Sequence, residues 1–345
     1  MLADFRHIPL MISGSLRFSL TLATFPAKYI SFIIAMAGCP SCCGCHHRGN
    51  RDSVECKGLS KQRIEKEYRT AIKSHTSRRP FVAAGAVTGI GSLPLTSATS
   101  AIRSVAEFSP EVPFWPQLPK LSQQESIVGQ GLGIVENLIE PRNEGYGYQV
   151  KEGQLDSVLE ILHRSSGELT PANAAGFGAF EEAFSSGLFS AAIAVKGQFE
   201  GPITLSAYLF HNGRPFLADP TLFAAIAFHV SQIIGWQIDH LQSTGLPVLL
   251  FVDEPALCLD APVSNAVPEE QRLNALAATL EAVRRRGAYA GLHCCAARPF
   301  ERMCRVQPDI ISFDAHEGLD SFFADWRALD FMQKGGTVAY GIVPT

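Results

Sequence analysis

His293 and Cys295 stand two residues apart at the end of an apolar run, Tyr289-Ala-Gly-Leu-His293-Cys-Cys295. Alternate residues of a strand point to the same side, so the spacing predicts an imidazole and a sulfur aimed at one point. A second apolar run, Asp309-Ile-Ile-Ser-Phe, ends in Asp314, and a third, Val248-Leu-Leu-Phe-Val, ends in Asp253-Glu254-Pro255. Imidazole, thiolate and carboxylate are ordinary zinc ligands, and a site with a thiolate component suits sulfur chemistry. Packing alone would account for a single His-x-Cys. Three runs that each stop at a ligand or an acid instead predict a site at the C-terminal rim of a parallel sheet, where α/β barrels keep their chemistry. The competing roles are a helix N-cap for Asp253-Glu254 before Pro255 and a solvated strand end for Asp314. His316-Glu317 could substitute as ligands. His211, His229 and His240 fall on loop or helical faces and read as structural or surface residues.

The elements that must position these groups begin at Phe81. Strand patterns cover 84–92, 113–118, 191–199, 247–253, 288–294, 309–314 and 337–343. Helical patterns cover 97–108, 123–139, 154–165, 171–186, 219–244, 268–287, 299–305 and 320–333. Asp219-Pro220 caps the longest of these helices and Gly245 ends it. Strands alternating with helices imply a parallel sheet. The expectation is a (β/α)8 TIM-type barrel over residues 82–345, truncated before its last β/α unit because the pattern stops at Pro344-Thr345. Gly85-Ala-Val-Thr-Gly89-Ile-Gly91 spells a dinucleotide-binding glycine pattern. That reading needs a helix to start at Ile90, which Pro94 opposes, and no Tyr-x-x-x-Lys follows for hydride chemistry.

Residues 1–80 have a different character and are expected to form a poorly ordered extension. Residues 8–37 are apolar but broken by Arg17, Pro26 and Lys28, so no clean stretch of about 20 residues spans a bilayer. Cys42-Cys43-Gly44-Cys45-His46-His47 lacks a second ligand pair at zinc-finger spacing. The whole chain has 345 residues, 46% apolar and 18% charged, with net charge -4. That balance offers no basic surface for nucleic acid. Five of the nine cysteines lie in the first 56 residues, and the remaining four make no disulfide framework, as befits a reducing cytoplasm.

Over residues 87–345, Ile90-Gly-Ser-Leu-Pro94, Gly201-Pro-Ile-Thr204, Val252-Asp-Glu-Pro-Ala-Leu257, His293-Cys-Cys295 and Ser312-Phe-Asp314 occur in one order and spacing. Together they resemble the catalytic barrel of cobalamin-independent methionine synthase, in the superfamily that also holds uroporphyrinogen decarboxylase and the corrinoid methyltransferases. The resemblance implies zinc on His293 and Cys295, and on Asp314 where the family has Glu. It implies amino-acid substrate contacts in Ile90-Gly91-Ser92 and Asp253-Glu254, with Asp253 also named as the catalytic residue. No Cys follows Asp314, so the family's last ligand would lie beyond Thr345. The implied activity is transfer of a methyl group to a thiol such as homocysteine, from a folate or a methyl-corrinoid donor. Zinc with an open position would take the thiol as a ligand and deprotonate it near neutral pH. A porphyrin decarboxylase needs arginines to clamp carboxylates, and the first half of the barrel has few (Arg103, Arg142, Arg164). An inactive, incomplete barrel is the third alternative.

Overall fold

The computed structural model describes residues 80–258, 267–295 and 300–343, together with the backbone of Ile33–Ala37. The strands are β1 (Ile33–Ala37), β2 (Val87–Gly89), β3 (Ile139–Pro141), β4 (Tyr148–Val150), β5 (Val195–Glu200), β6 (Leu209–His211), β7 (Arg214–Pro215), β8 (Val248–Asp253), β9 (Tyr289–His293), β10 (Ile310–Asp314) and β11 (Thr337–Gly341). Seven form one sheet in the order β2-β1-β11-β10-β9-β8-β5. Strands β5, β8, β9, β10 and β11 are mutually parallel, and helices separate each from the next in sequence. The architecture is α/β.

The 113–118 segment, with Pro113, Pro116 and Pro119 in or beside it, joins through isolated parallel bridges at Ser92–Gln117 and Phe114–Lys196. Leu93 N donates to Gln117 O (2.9 Å), Gln117 N to Gly91 O (3.0 Å) and Lys196 N to Pro113 O (2.9 Å). It therefore lies between the residues after β2 and strand β5. Proline has no N–H to give a ladder, which accounts for bridges in place of the continuous strand expected there.

Of the expected extension, Ile33–Ala37 is strand β1. It runs antiparallel between β2 and β11, with Ala35 opposite both Val87 and Tyr340. The cysteine-rich stretch 39–47 and the basic run 57–79 lie outside the described residues. A four-stranded sheet, β3-β4-β6-β7, was not anticipated. The expected helix over 123–139 is broken into the 3-10 turn Gln123–Glu125, the helix Ile127–Leu132 and a second 3-10 stretch, Gly133–Leu138. Gly129, Gly131 and Gly133 weaken helix within it. The expected 320–333 helix is two, Ala315–Ala324 and Trp326–Gln333, because Asp325 turns extended and its side chain caps the second. The longest helix, Pro220–Leu241, follows the sequence: the Asp219 side chain accepts from Thr221 N (2.8 Å) and Leu222 N (3.1 Å). Its span to Thr244 is long and apolar enough to cross a membrane, but 56% of its 18-residue apolar stretch is buried inside the protein.

The two faces of the main sheet differ. Leu250, Val252, Leu292, Ile311, Phe313 and Val338 face the helices in the large core, where truncating one buried Leu costs about 2–5 kcal/mol. Leu249, Phe251, Ile310 and Ala339 face the other way and form a small apolar plug with Ala83, Ala86, Val112 and Ala194. The residues that follow on this second face, toward the C-terminal strand ends, are polar.

Candidate functional site

Strand β5 places Lys196, Gln198 and Glu200 on the same face as Phe251, since Gln198 is opposite Phe251 and Glu200 opposite Asp253. Asp253 is opposite His293, and His293 opposite Ser312. Across four strands the layer thus reads Glu200, Asp253, His293, Ser312, every member buried. Parallel strands that stop in register set these side chains side by side at one sheet edge.

Lys196 Nζ donates to Ile90 O (2.8 Å) and Gln198 Oε1 (2.9 Å), and lies 4.9 Å from the Phe251 ring centre. Gln198 Nε2 donates to Trp115 O (2.8 Å). Ser92 Oγ donates to Gln117 Oε1 (3.4 Å), whose amide donates to Gln130 Oε1 (2.7 Å). The expected Ile90-Gly91-Ser92 contacts are thereby tied to the polar layer. Gly91 has φ +139, and a Cβ there would lie 2.6 Å from the Gln198 Cδ, so the close approach requires glycine. The helix after this segment begins only at Ala98, capped by Ser97, as rejecting the dinucleotide pattern required.

His293 Nδ1 is 2.9 Å from Ser312 Oγ, a contact that orients the ring in the way outer partners orient metal-binding histidines. Burial, then the charge of Lys196, push its pKa down to about 3, leaving the imidazole neutral as a metal requires. Cys295 is placed less as expected. Strand β9 ends at His293, Cys294 turns into the core, and Cys295 lies exposed beyond, so period-two alternation does not carry across. Protein around the sulfur, then the charge of Asp253, push its thiol up to about 11. Asp314, at the end of β10, is the N-cap of Ala315–Ala324, its Oδ1 accepting from His316 N (2.8 Å). His316 Nε2 meets Ile342 O at 3.1 Å. Among the described residues no group of three or more His, Cys, Asp or Glu is placed to hold a metal.

The adjoining Asp253 and Glu254 have different surroundings. The Glu254 carboxylate accepts from Ile203 N (2.9 Å), Thr204 N (2.9 Å) and Thr204 Oγ1 (2.6 Å), while Thr204 Oγ1 accepts from Ala256 N (3.1 Å). It anchors the Pro202–Tyr208 helix, where sequence reasoning had it contact substrate. Among the described residues, Asp253 Oδ1 and both Glu200 carboxylate oxygens are buried with no hydrogen-bond partner. Burial raises Asp253 to about 7 against the charge of Lys196, and raises Glu200 well above the usual range, with Glu254 and Asp253 adding to it. Burial brings Lys196 down to about 7, against the charge of Asp253.

Lys196, Gln198, Glu200 and Ser312 were missed in the sequence. The signal was there in Lys196-x-Gln198-x-Glu200, polar at every second position of an otherwise apolar run. Of the three other histidines, His229 and His240 have structural partners. His229 bridges Ser165 Oγ (2.6 Å) and Gly131 O (2.8 Å) beside a cleft of about 60 Å³, and His240 meets Glu181 at 2.9 Å. The chain matches no known protein-family model and no curated protein.

Proposed function

We propose that residues 82–345 are a TIM-type barrel enzyme that transfers a methyl group to a thiol, with zinc as its cofactor. The barrel reading is supported by strand pairings that run from β2 through 113–118, β5, β8, β9, β10 and β11 to β1, and so back to β2. The observation that carries the activity is the Asp253–His293 register at two adjacent strand ends, with a buried carboxylate oxygen that has no partner among the described residues. Water-excluded, unpartnered carboxylates are costly, and strand ends are where such folds keep ligands. The resemblance to methionine synthase supplies the reaction class.

The donor chemistry fits zinc at two positions. His293 is neutral and oriented by Ser312, and Cys295 follows it at the strand exit. These two would hold the metal, with Asp314 joining only by giving up its helix-capping bond. Bound zinc would supply Lewis acidity that makes a substrate thiol a thiolate near pH 7. The chain's own residues do the positioning. Asp253 would accept a charge-assisted hydrogen bond from the substrate ammonium. Lys196 holds the Ile90 carbonyl, setting Ile90-Gly91-Ser92 where Ser92 can meet the carboxylate. Glu254 keeps the β8 exit rigid through its three bonds. Four free cysteines among the described residues fit a reducing cytoplasm.

The test is metal analysis and methyl transfer to homocysteine with folate and methyl-corrinoid donors offered separately. One zinc per chain is expected, lost in the His293→Ala, Cys295→Ser double variant. A double variant that still copurifies with a full equivalent would overturn the metal assignment, and a zinc-loaded protein inactive with both donors would overturn the activity.

A further inference from the structure

Asn212-Gly213 is the one Asn-Gly pair in the chain. It makes up the whole loop of the β6–β7 hairpin, since His211 pairs with Arg214 directly across it. Asn212 has φ +49 and Gly213 φ +72, the doubly left-handed backbone of a type I′ turn, which favours Asn followed by Gly. The same pair is chemically labile. The carboxamide carbon of an Asn can close a five-membered ring with the next backbone nitrogen, and glycine has no Cβ to shield that nitrogen. Both residues are exposed, and among the described residues a Cβ placed at Gly213 would meet nothing within 4 Å, so water reaches the turn. One contact restrains the nitrogen: Gly213 N donates to Gln149 Oε1 at 3.4 Å. That length marks a weak hydrogen bond. Gln149 is itself held, opposite Phe210 in the β4–β6 pairing and with its Nε2 donating to Val150 O (3.2 Å).

We infer that Asn212 is a site of spontaneous self-modification, with the Gln149 amide as its brake. When the turn opens locally, Gly213 N gives its proton to solvent and attacks Asn212 Cγ. The new N–Cγ bond closes a succinimide, the Cγ–Nδ2 bond breaks, and Nδ2 leaves as ammonia after taking a proton from water. One water then adds at either ring carbonyl and leaves an aspartyl or an isoaspartyl residue at position 212. No oxidant or reductant enters. The isoaspartyl form routes the backbone through Cβ, which adds about 1.5 Å of chain to a two-residue loop. Loop length sets hairpin register, so the His211–Arg214 pair is lost, and β7 has just two residues, Arg214–Pro215, to resist this. Tyr208 stands one residue before β6 and packs edge-on against Tyr146, ring centres 5.0 Å apart, so the loosened hairpin is the one that carries this aromatic pair. The chemistry is independent of the methyl-transfer reading.

The experiment incubates the full-length chain at neutral pH and follows Asn212 by peptide mapping, with mass spectrometry to count deamidation and to separate aspartyl from isoaspartyl product. Wild type should accumulate both products at position 212. Asn143 is equally exposed but is followed by Glu144, whose side chain hinders its nitrogen, and it should stay unmodified over the same period. Gln149→Ala should speed conversion of Asn212 about 2- to 10-fold, the weight of one neutral hydrogen bond. Asn212→Gly keeps a residue that accepts the turn and should abolish the product. Wild type with no product by the time Gln149→Ala has fully converted, a Gln149→Ala rate no faster than wild type, or Asn143 converting as fast as Asn212 would overturn the inference. If Gln149→Ala fails to fold, a synthetic peptide of residues 208–216 supplies the unbraked rate, and conversion in wild type as fast as in that peptide would refute the brake.

Discussion

Gly201→Ala tests how Glu254 holds the site. Gly201 has φ -80 and ψ 167, a conformation open to alanine, so the substitution carries no backbone strain. In the unfolded chain it should even help, by about 0.4–1 kcal/mol. The added Cβ would land on Oε1 and Cδ of Glu254 and 2.6 Å from its Cγ. A carboxylate on a flexible side chain could ordinarily swing aside. This one is held by Ile203 N, Thr204 N and Thr204 Oγ1 at 2.9, 2.9 and 2.6 Å. Clearing the methyl means moving it by about 1 Å, which takes at least one of these bonds past useful length. Overpacking costs about 1–3 kcal/mol and an orphaned buried donor about 1–3 more. After the unfolded-state gain, the expected net loss is about 3 kcal/mol, or a fall of roughly 6–12 °C in melting temperature. Thermal and urea unfolding would measure it, in wild type and in a Glu254→Ala background. With the carboxylate gone the clash disappears, so there Gly201→Ala should be neutral or slightly stabilising. The same cost in both backgrounds, or a cost below about 1 kcal/mol in wild type, would refute the reasoning.

Gly91→Ala combines a left-handed φ of +139 with a Cβ pressed on Gln198, and should destabilise by about 2–4 kcal/mol; unfolding midpoints check this. His229, held down at about 4 chiefly by burial, binds its proton more weakly folded than unfolded, where 6.5 applies. Its stabilising contribution is therefore complete above pH 6.5 and lost as pH falls through 4, so His229→Gln should flatten the acid limb of a stability-versus-pH curve in that window. An unchanged acid limb would contradict the assignment. Ala35→Pro takes a backbone donor out of β1, which sits between β2 and β11. Amide exchange at Ala339 and Tyr340 should then quicken, with a loss of about 1–3 kcal/mol if the lost bond is buried; protection equal to wild type would show that β1 does not hold that edge.

Much of the scaffold was legible because its signals are local or periodic. Val248-Leu-Leu-Phe-Val reads as a strand from apolar content alone, and Asp219-Pro220 reads as a helix start because a cap needs only its own next residues. The 123–139 helix failed because glycines inside an apolar pattern leave its period intact while weakening its backbone. Strand β1 could not be seen, since its partners lie some 50 and 300 residues away in sequence.

The site divides along the same line. The sequence by itself determined that Asp253, His293 and Asp314 end successive apolar strands, because strand length and termination are written in adjacent residues. Only the tertiary structure decided what each end does. Glu254 is bound to a helix start about 50 residues earlier, Asp314 caps the helix that follows it, and Cys295 falls beyond its strand. Lys196, Gln198 and Glu200 acquire their meaning from strands β8 to β10, whose register turns that face inward and sets Glu200 beside Asp253. A period of two tells which residues share a face, but only the neighbouring strands determine whether that face meets helices, solvent or a buried charge.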